Sequence, residues 1–66
     1  MNAIKKARLA AGLTQTQVAA AIGAAQSWVH KIESGEIQPG NITLDRAVKL
    51  ARVLGVPVED LINEAE

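Results

Sequence analysis

Apolar residues recur along this chain in short bursts spaced by three or four, with glycine, proline or asparagine between the bursts. That spacing marks amphipathic helices, and no stretch alternates with period two over any length. The first helix is predicted from Asn2, a good N-cap, to about Ala11, just ahead of Gly12. Ile4, Ala7 and Ala11 lie at helical spacing with Leu9 beside them, while Lys5 and Lys6 point elsewhere. The second start signal is Thr14-Gln15-Thr16-Gln17, a capping box flanked by Leu13 and Val18 as a hydrophobic staple. That helix runs through Ile22 to Gly23, which suits a left-handed stop. Very few residues then precede a third helix from about Gln26 to Ser34, carrying Val29 and Ile32 inward and ended by Gly35.

Glu36 to Asn41, with Pro39-Gly40, reads as a loop. A fourth helix starts from Thr43 as N-cap, with Asp45 in its first turn where the helix dipole favours it. Its expected buried stripe is Leu44, Ala47, Val48, Ala51 and Leu54, and Gly55 ends it. Pro57 fits the first position of a fifth helix holding Leu61 and Ile62. Nothing resembling a linker, repeat or low-complexity tract interrupts the series, so residues 1–66 are read as a single all-α domain of five short helices.

Composition narrows the function. A chain of 66 residues that is nearly half apolar is not composed like a disordered segment. A domain of this size buries only about 60% of its unfolded surface, which leaves little room for a deep cleft with a sheltered catalytic apparatus. Without cysteine there is no disulfide framework, thiolate nucleophile or thiolate metal site, and His30 is the only imidazole. No catalytic residue, metal site or cofactor is expected, nor a small-molecule ligand. No apolar run approaches the roughly 20 residues that cross a bilayer, so a soluble cytoplasmic protein with no membrane contact is expected.

The formal net charge is zero, yet its distribution is lopsided. All seven basic residues and three of the acids precede position 59, a surplus of four positive charges; Glu59, Asp60, Glu64 and Glu66 supply the balancing four. A phosphate backbone responds to the local field, so neutrality does not exclude DNA.

The informative stretch is Gln15 to Ser34. A very short glycine-bearing turn between two helices forces a steep crossing, and Ala19 is the small residue available where they meet. With Val18, Ile22, Val29 and Ile32 inside, the outward face of the third helix presents Gln26, Ser27, His30 and Lys31. Glutamine can pair with adenine N6 and N7, serine with either kind of partner, and lysine with guanine O6 and N7. The same residues read equally as an ordinary solvated face.

Residues 4–62 resemble the Cro and phage-repressor type of helix-turn-helix domain, the xenobiotic-response-element family. The matching stretches are IKKARLAAGLTQTQVAAAIG, AQSWVHKIESGE and AVKLARVLGVPVEDLI. The resemblance implies a compact five-helix, lambda-repressor-like fold and a transcriptional regulator, a repressor, that binds double-stranded operator DNA as a symmetric homodimer. It implies that Gln26, Ser27 and Lys31 face base edges, and that Gln15 touches a phosphate while bracing the recognition helix. It also implies that Asn41 and Thr43 are phosphate contacts, and that Arg8 and Glu33 form an ion pair between the first and third helices. Two positions and one loop depart from the family pattern: Ala25 stands where relatives often carry serine or threonine, Pro57 where they often carry serine, and the loop from Gly35 to Thr43 runs longer.

Several residues carry two readings. Trp28 either sits wholly in the core or packs its ring on the second helix with its edge along the sugar-phosphate backbone. His30 is either a phosphate contact or a plain exposed imidazole. Val58, Leu61 and Ile62 are expected at a dimer contact, although Leu61 and Ile62 also suit the closing of the monomer core. A rival function is a protein-binding module, such as a small antitoxin with a toxin as partner or an anti-repressor partner, using the acidic end of the chain.

Overall fold

A computed structural model describes residues 2–62, of which Ile62 is described in its backbone alone. Five helices follow in order: α1 (Ala3–Ala10), α2 (Gln15–Ile22), α3 (Gln26–Ser34), α4 (Leu44–Leu54) and α5 (Val58–Ile62), with a 3-10 turn at Pro39–Asn41. The all-helical expectation holds. α2 packs against α3 and α4, α4 carries α5, and α1 closes the assembly against α3 and α5. Ile4, Val18, Val29, Ile32, Leu50 and Leu61 are fully buried where these helices converge.

Local chemistry sets the boundaries. Asn2 caps α1 by accepting the Lys5 amide at 2.9 Å, and its Nδ2 donates to the Ile32 carbonyl at 2.6 Å. One short side chain thus starts α1 and satisfies a carbonyl near the end of α3. Both halves of the capping box form on α2: the Gln17 amide donates to Thr14 Oγ1 at 3.1 Å, and the Thr14 amide donates to Gln17 Oε1 at 2.8 Å. Gly23 ends α2 at φ +71°, while the Ala24 amide returns to the Ala19 carbonyl at 2.9 Å. A Cβ placed on Gly23 would meet nothing within 4 Å, so only backbone conformation resists substitution. Gly23→Ala is expected to lower stability by about 1–2 kcal/mol, and Gly23→Asn by less, read as a fall in urea midpoint at constant slope.

The buried stripe expected on α4 needs correction. Leu44 is 76% exposed, and Leu50, left out of the expected stripe, is fully buried between Ala47 and Leu54. Leu44 occupies the first position of α4, where helical phase is right but no neighbouring element stands opposite. Leu9 is 52% exposed, and Ala11, beyond the last residue of α1, is exposed as well. Leu61 is fully buried with the core, so of its two readings it is the closing of the monomer core that the structure shows. The Ile62 side chain and the acidic residues Glu64 and Glu66 lie outside the described residues. Pro57 stands immediately before α5, and its carbonyl accepts the Asp60 amide at 3.0 Å.

The long α3–α4 loop is not slack. Its 3-10 turn buries Pro39, and Ile37 and Ile42 pack against the core on either side. That plug gives the added length a structural role, and it fixes where Asn41 and Thr43 emerge.

Candidate nucleic-acid interface

α3 turns one face inward through Val29, Ile32 and Glu33, all buried. Gln26, Ser27, His30 and Lys31 recur at the spacing of a single helical face and are all exposed. Ala25 gives α3 no side-chain cap, unlike Thr14 on α2 and Thr43 on α4. A missing serine or threonine cap costs about 1 kcal/mol, so α3 depends on its packing for order.

Arg8 and Glu33 meet as the resemblance implies. Arg8 Nε donates to Glu33 Oε2 at 2.6 Å and Nη2 donates to Oε1 at 3.1 Å, with side-chain exposures of 10% and 3%. The remaining Nη1 donates to the Leu13 carbonyl at 2.8 Å. The guanidinium therefore ties together α1, the turn into α2 and the far end of α3. Two-point pairing of this kind fixes direction as well as distance.

The network continues outward. Gln15 Nε2 donates to Glu33 Oε1 at 3.1 Å, and Gln26 Nε2 donates to Gln15 Oε1 at 2.7 Å. Gln15, half-buried at the start of α2, is thereby clamped between a buried carboxylate and the exposed amide that opens α3. The resemblance implied a bracing glutamine; the full series Arg8–Glu33–Gln15–Gln26 was not read from sequence. No local signal reveals it, because its members are 7 to 25 positions apart.

Trp28 is not wholly buried, and it packs against the edge of the core. It is half-buried, with the Arg46 guanidinium of α4 over its ring at 4.6 Å from the centroid. The physical reason is the angular position of residue 28, at the edge of α3 facing the loop and α4. Trp28, Ile37, Asn41, Ile42, Thr43 and Arg46 border a hollow of about 310 Å³. Asn41 and Thr43 are thus brought together with Trp28 on one rim, although Thr43 Oγ1 is already engaged in accepting the Arg46 amide at 3.2 Å. Arg46 went unread in sequence because its partner lies on another helix. Arg46→Ala is expected to remove about 0.5–1 kcal/mol of stability and to shift Trp28 fluorescence toward that of a more exposed ring.

Among the described residues, no helix is long and apolar enough to cross a membrane, and no three His, Cys, Asp or Glu residues stand where they could hold a metal ion. Asp45 and Lys49 pair at 3.2 Å on the exposed side of α4, a contact that contributes little.

The model of the helix-turn-helix family matches residues 4–61. No curated protein and no solved structure gives a significant match. With five helices in this order, a glycine turn between α2 and α3, and a match over nearly all its length, the chain belongs to the Cro and phage-repressor (xenobiotic-response-element) helix-turn-helix family of DNA-binding regulators.

Proposed function

We propose that the protein is a sequence-specific transcriptional repressor that seats α3 in the major groove of double-stranded operator DNA and acts as a homodimer on an inverted repeat. The observation that carries this reading is the exposed Gln26 held at 2.7 Å by Gln15, a base-reading group with its orientation already fixed. An ordinary solvated glutamine has no such brace. In this reading Gln26, Ser27 and Lys31 meet base edges. Gln15, Trp28, His30, Asn41 and Thr43 lie toward the sugar-phosphate backbone and set the register. Binding would occlude the DNA beneath the protein.

Dimerisation follows from magnitude. Three base-reading side chains, each discriminating by about 1–3 kcal/mol, select an operator poorly, and two copies on half-sites one helical turn apart double the contacts. With Leu61 buried, the surface that supports pairing is the open hollow of about 470 Å³ bordered by Val48, Arg52, Val56, Pro57 and Val58. Val58 and Ile62 remain from the expected contact set, the Ile62 side chain lying outside the described residues. Val48 is half-buried on α4, so Val48→Glu is expected to leave the monomer fold within about 0.5 kcal/mol of its original stability. The same change should weaken self-association about tenfold in sedimentation equilibrium. An unchanged association constant would move the dimer contact elsewhere.

The docking face is tested by titrating isotope-labelled protein with a random-sequence duplex at low salt and following amide resonances. Shifts are expected at Gln15, Gln26, Ser27, His30, Lys31 and Asn41, fading as salt rises because the contact releases counterions. Shifts confined to α1 or α5 would contradict the reading.

A further inference from the structure

The hollow beside α4 and α5 is apolar but for one charge. Val48 and Arg52 border it at the spacing of a single face of α4, and Val56 and Val58 carry the apolar lining round to α5. All three valines are half-buried, and Arg52 is exposed. Among the described residues the ion pairs are Arg8–Glu33 and Asp45–Lys49, so the Arg52 guanidinium has no carboxylate of its own. Left open to water it needs none. Covered by a second surface, it would keep unpaired N–H donors and a stranded charge, which is costly. Whatever closes the hollow must bring an acid.

The chain itself supplies one that fits. Glu33 is buried and held by Arg8, Asp45 is paired with Lys49 at the other end of α4, and Glu36 belongs to the loop after α3. Glu59 and Asp60 remain among the described acids, both exposed in the first turn of α5. At about 100° per residue, Leu61 lies about 60° to one side of Val58 and is fully buried, so the core closes that side. Glu59 lies about 100° to the other side, flanking the hollow, and Asp60 about 160° away on the far side of the helix.

We infer that the protein recognises a second copy of itself through a reciprocal charge pair, Arg52 of each copy with Glu59 of the other across this hollow. The inference rests on the proposed dimer and names what selects its partner. A two-fold interface sets the same patch on both sides, so the pair occurs twice. The valines supply the apolar centre, while the charges decide which chain is accepted. A similar domain with no acid at the place of Glu59 would leave Arg52 unpaired and be rejected.

Sedimentation equilibrium of the full chain and its variants tests the pair. The wild type is expected to dimerise, with an association constant that falls as salt rises. Arg52→Glu sets acid against acid twice, and Glu59→Arg sets cation against cation twice; each should weaken self-association about 100-fold. Mixing the two variants should restore association to within about tenfold of wild type, because every contact across the axis again joins opposite charges. Pairing within one chain predicts no such recovery. The chain carrying both reversals should pair with itself and refuse the wild type, which decides the matter if either single variant fails to fold. If the wild type dimerises and the single variants associate as tightly, or their mixture recovers nothing, the charge pair is overturned and the dimer stands. If the wild type stays monomeric at every concentration, the dimer itself fails and the inference falls with it.

Discussion

Glu33→Ala and Arg8→Ala are each expected to destabilise the protein by about 3–5 kcal/mol, the largest effect of any single substitution outside the apolar core. The pair is buried, with side-chain exposures of 10% and 3%, so removing one partner strands the other charge away from water. At about 0.05–0.15 kcal/mol per residue, a domain of this length holds roughly 3–10 kcal/mol in total. Either variant therefore sits at or below the threshold of folding. The double replacement Arg8→Met with Glu33→Leu removes both charges and should recover much of the loss. Recovery stays incomplete, because the Leu13 carbonyl loses the Arg8 donor and Gln15 loses its acceptor. Trp28 fluorescence across a urea titration measures all of these variants. Single substitutions that each cost under about 1 kcal/mol would show that the pair is well solvated and contributes as a surface pair does.

Gln26→Ala is expected to cost about 5- to 150-fold in discrimination at one base pair of each half-site, with the fold intact. Residue 26 is exposed, so its truncation leaves the core untouched. Nonspecific affinity and its dependence on salt should hardly change, since the amide carries no charge to release counterions. Lys31→Ala separates two roles for that cation. A base contact alters the preferred sequence, whereas a phosphate contact weakens every sequence alike and reduces the salt slope by about one. Competition binding with matched and single-mismatch duplexes over a range of salt reads both variants.

Local features were the most legible. Asn2, the Thr14–Gln17 box, Gly23 and Gly35 act over a few positions, and each ends or starts the helix it was expected to. Burial was less legible where helical phase is right but depth along the bundle is not. Leu44 shares the phase of Ala47 yet stands at a helix end with nothing opposite, while Leu50 lies at the centre. The exposed face of α3 was readable because Val29 and Ile32 fix which side turns in. Contacts between helices were not: Arg46 over Trp28 and Asn2 on the Ile32 carbonyl depend on three-dimensional approach and leave no mark in spacing. The Arg8–Glu33 pair follows only from the family resemblance, and its extension through Gln15 to Gln26 depends on how three helices meet in space.

Whether α3 reads a DNA sequence is decided by selection from randomised duplex DNA with the purified protein at physiological salt. An enriched inverted repeat is expected, with half-sites about one helical turn apart and one position that becomes indifferent in Gln26→Ala. Retention without any enriched sequence, vanishing as salt rises, would contradict it; the contact would then be electrostatic only, and a protein partner would be the next object of search.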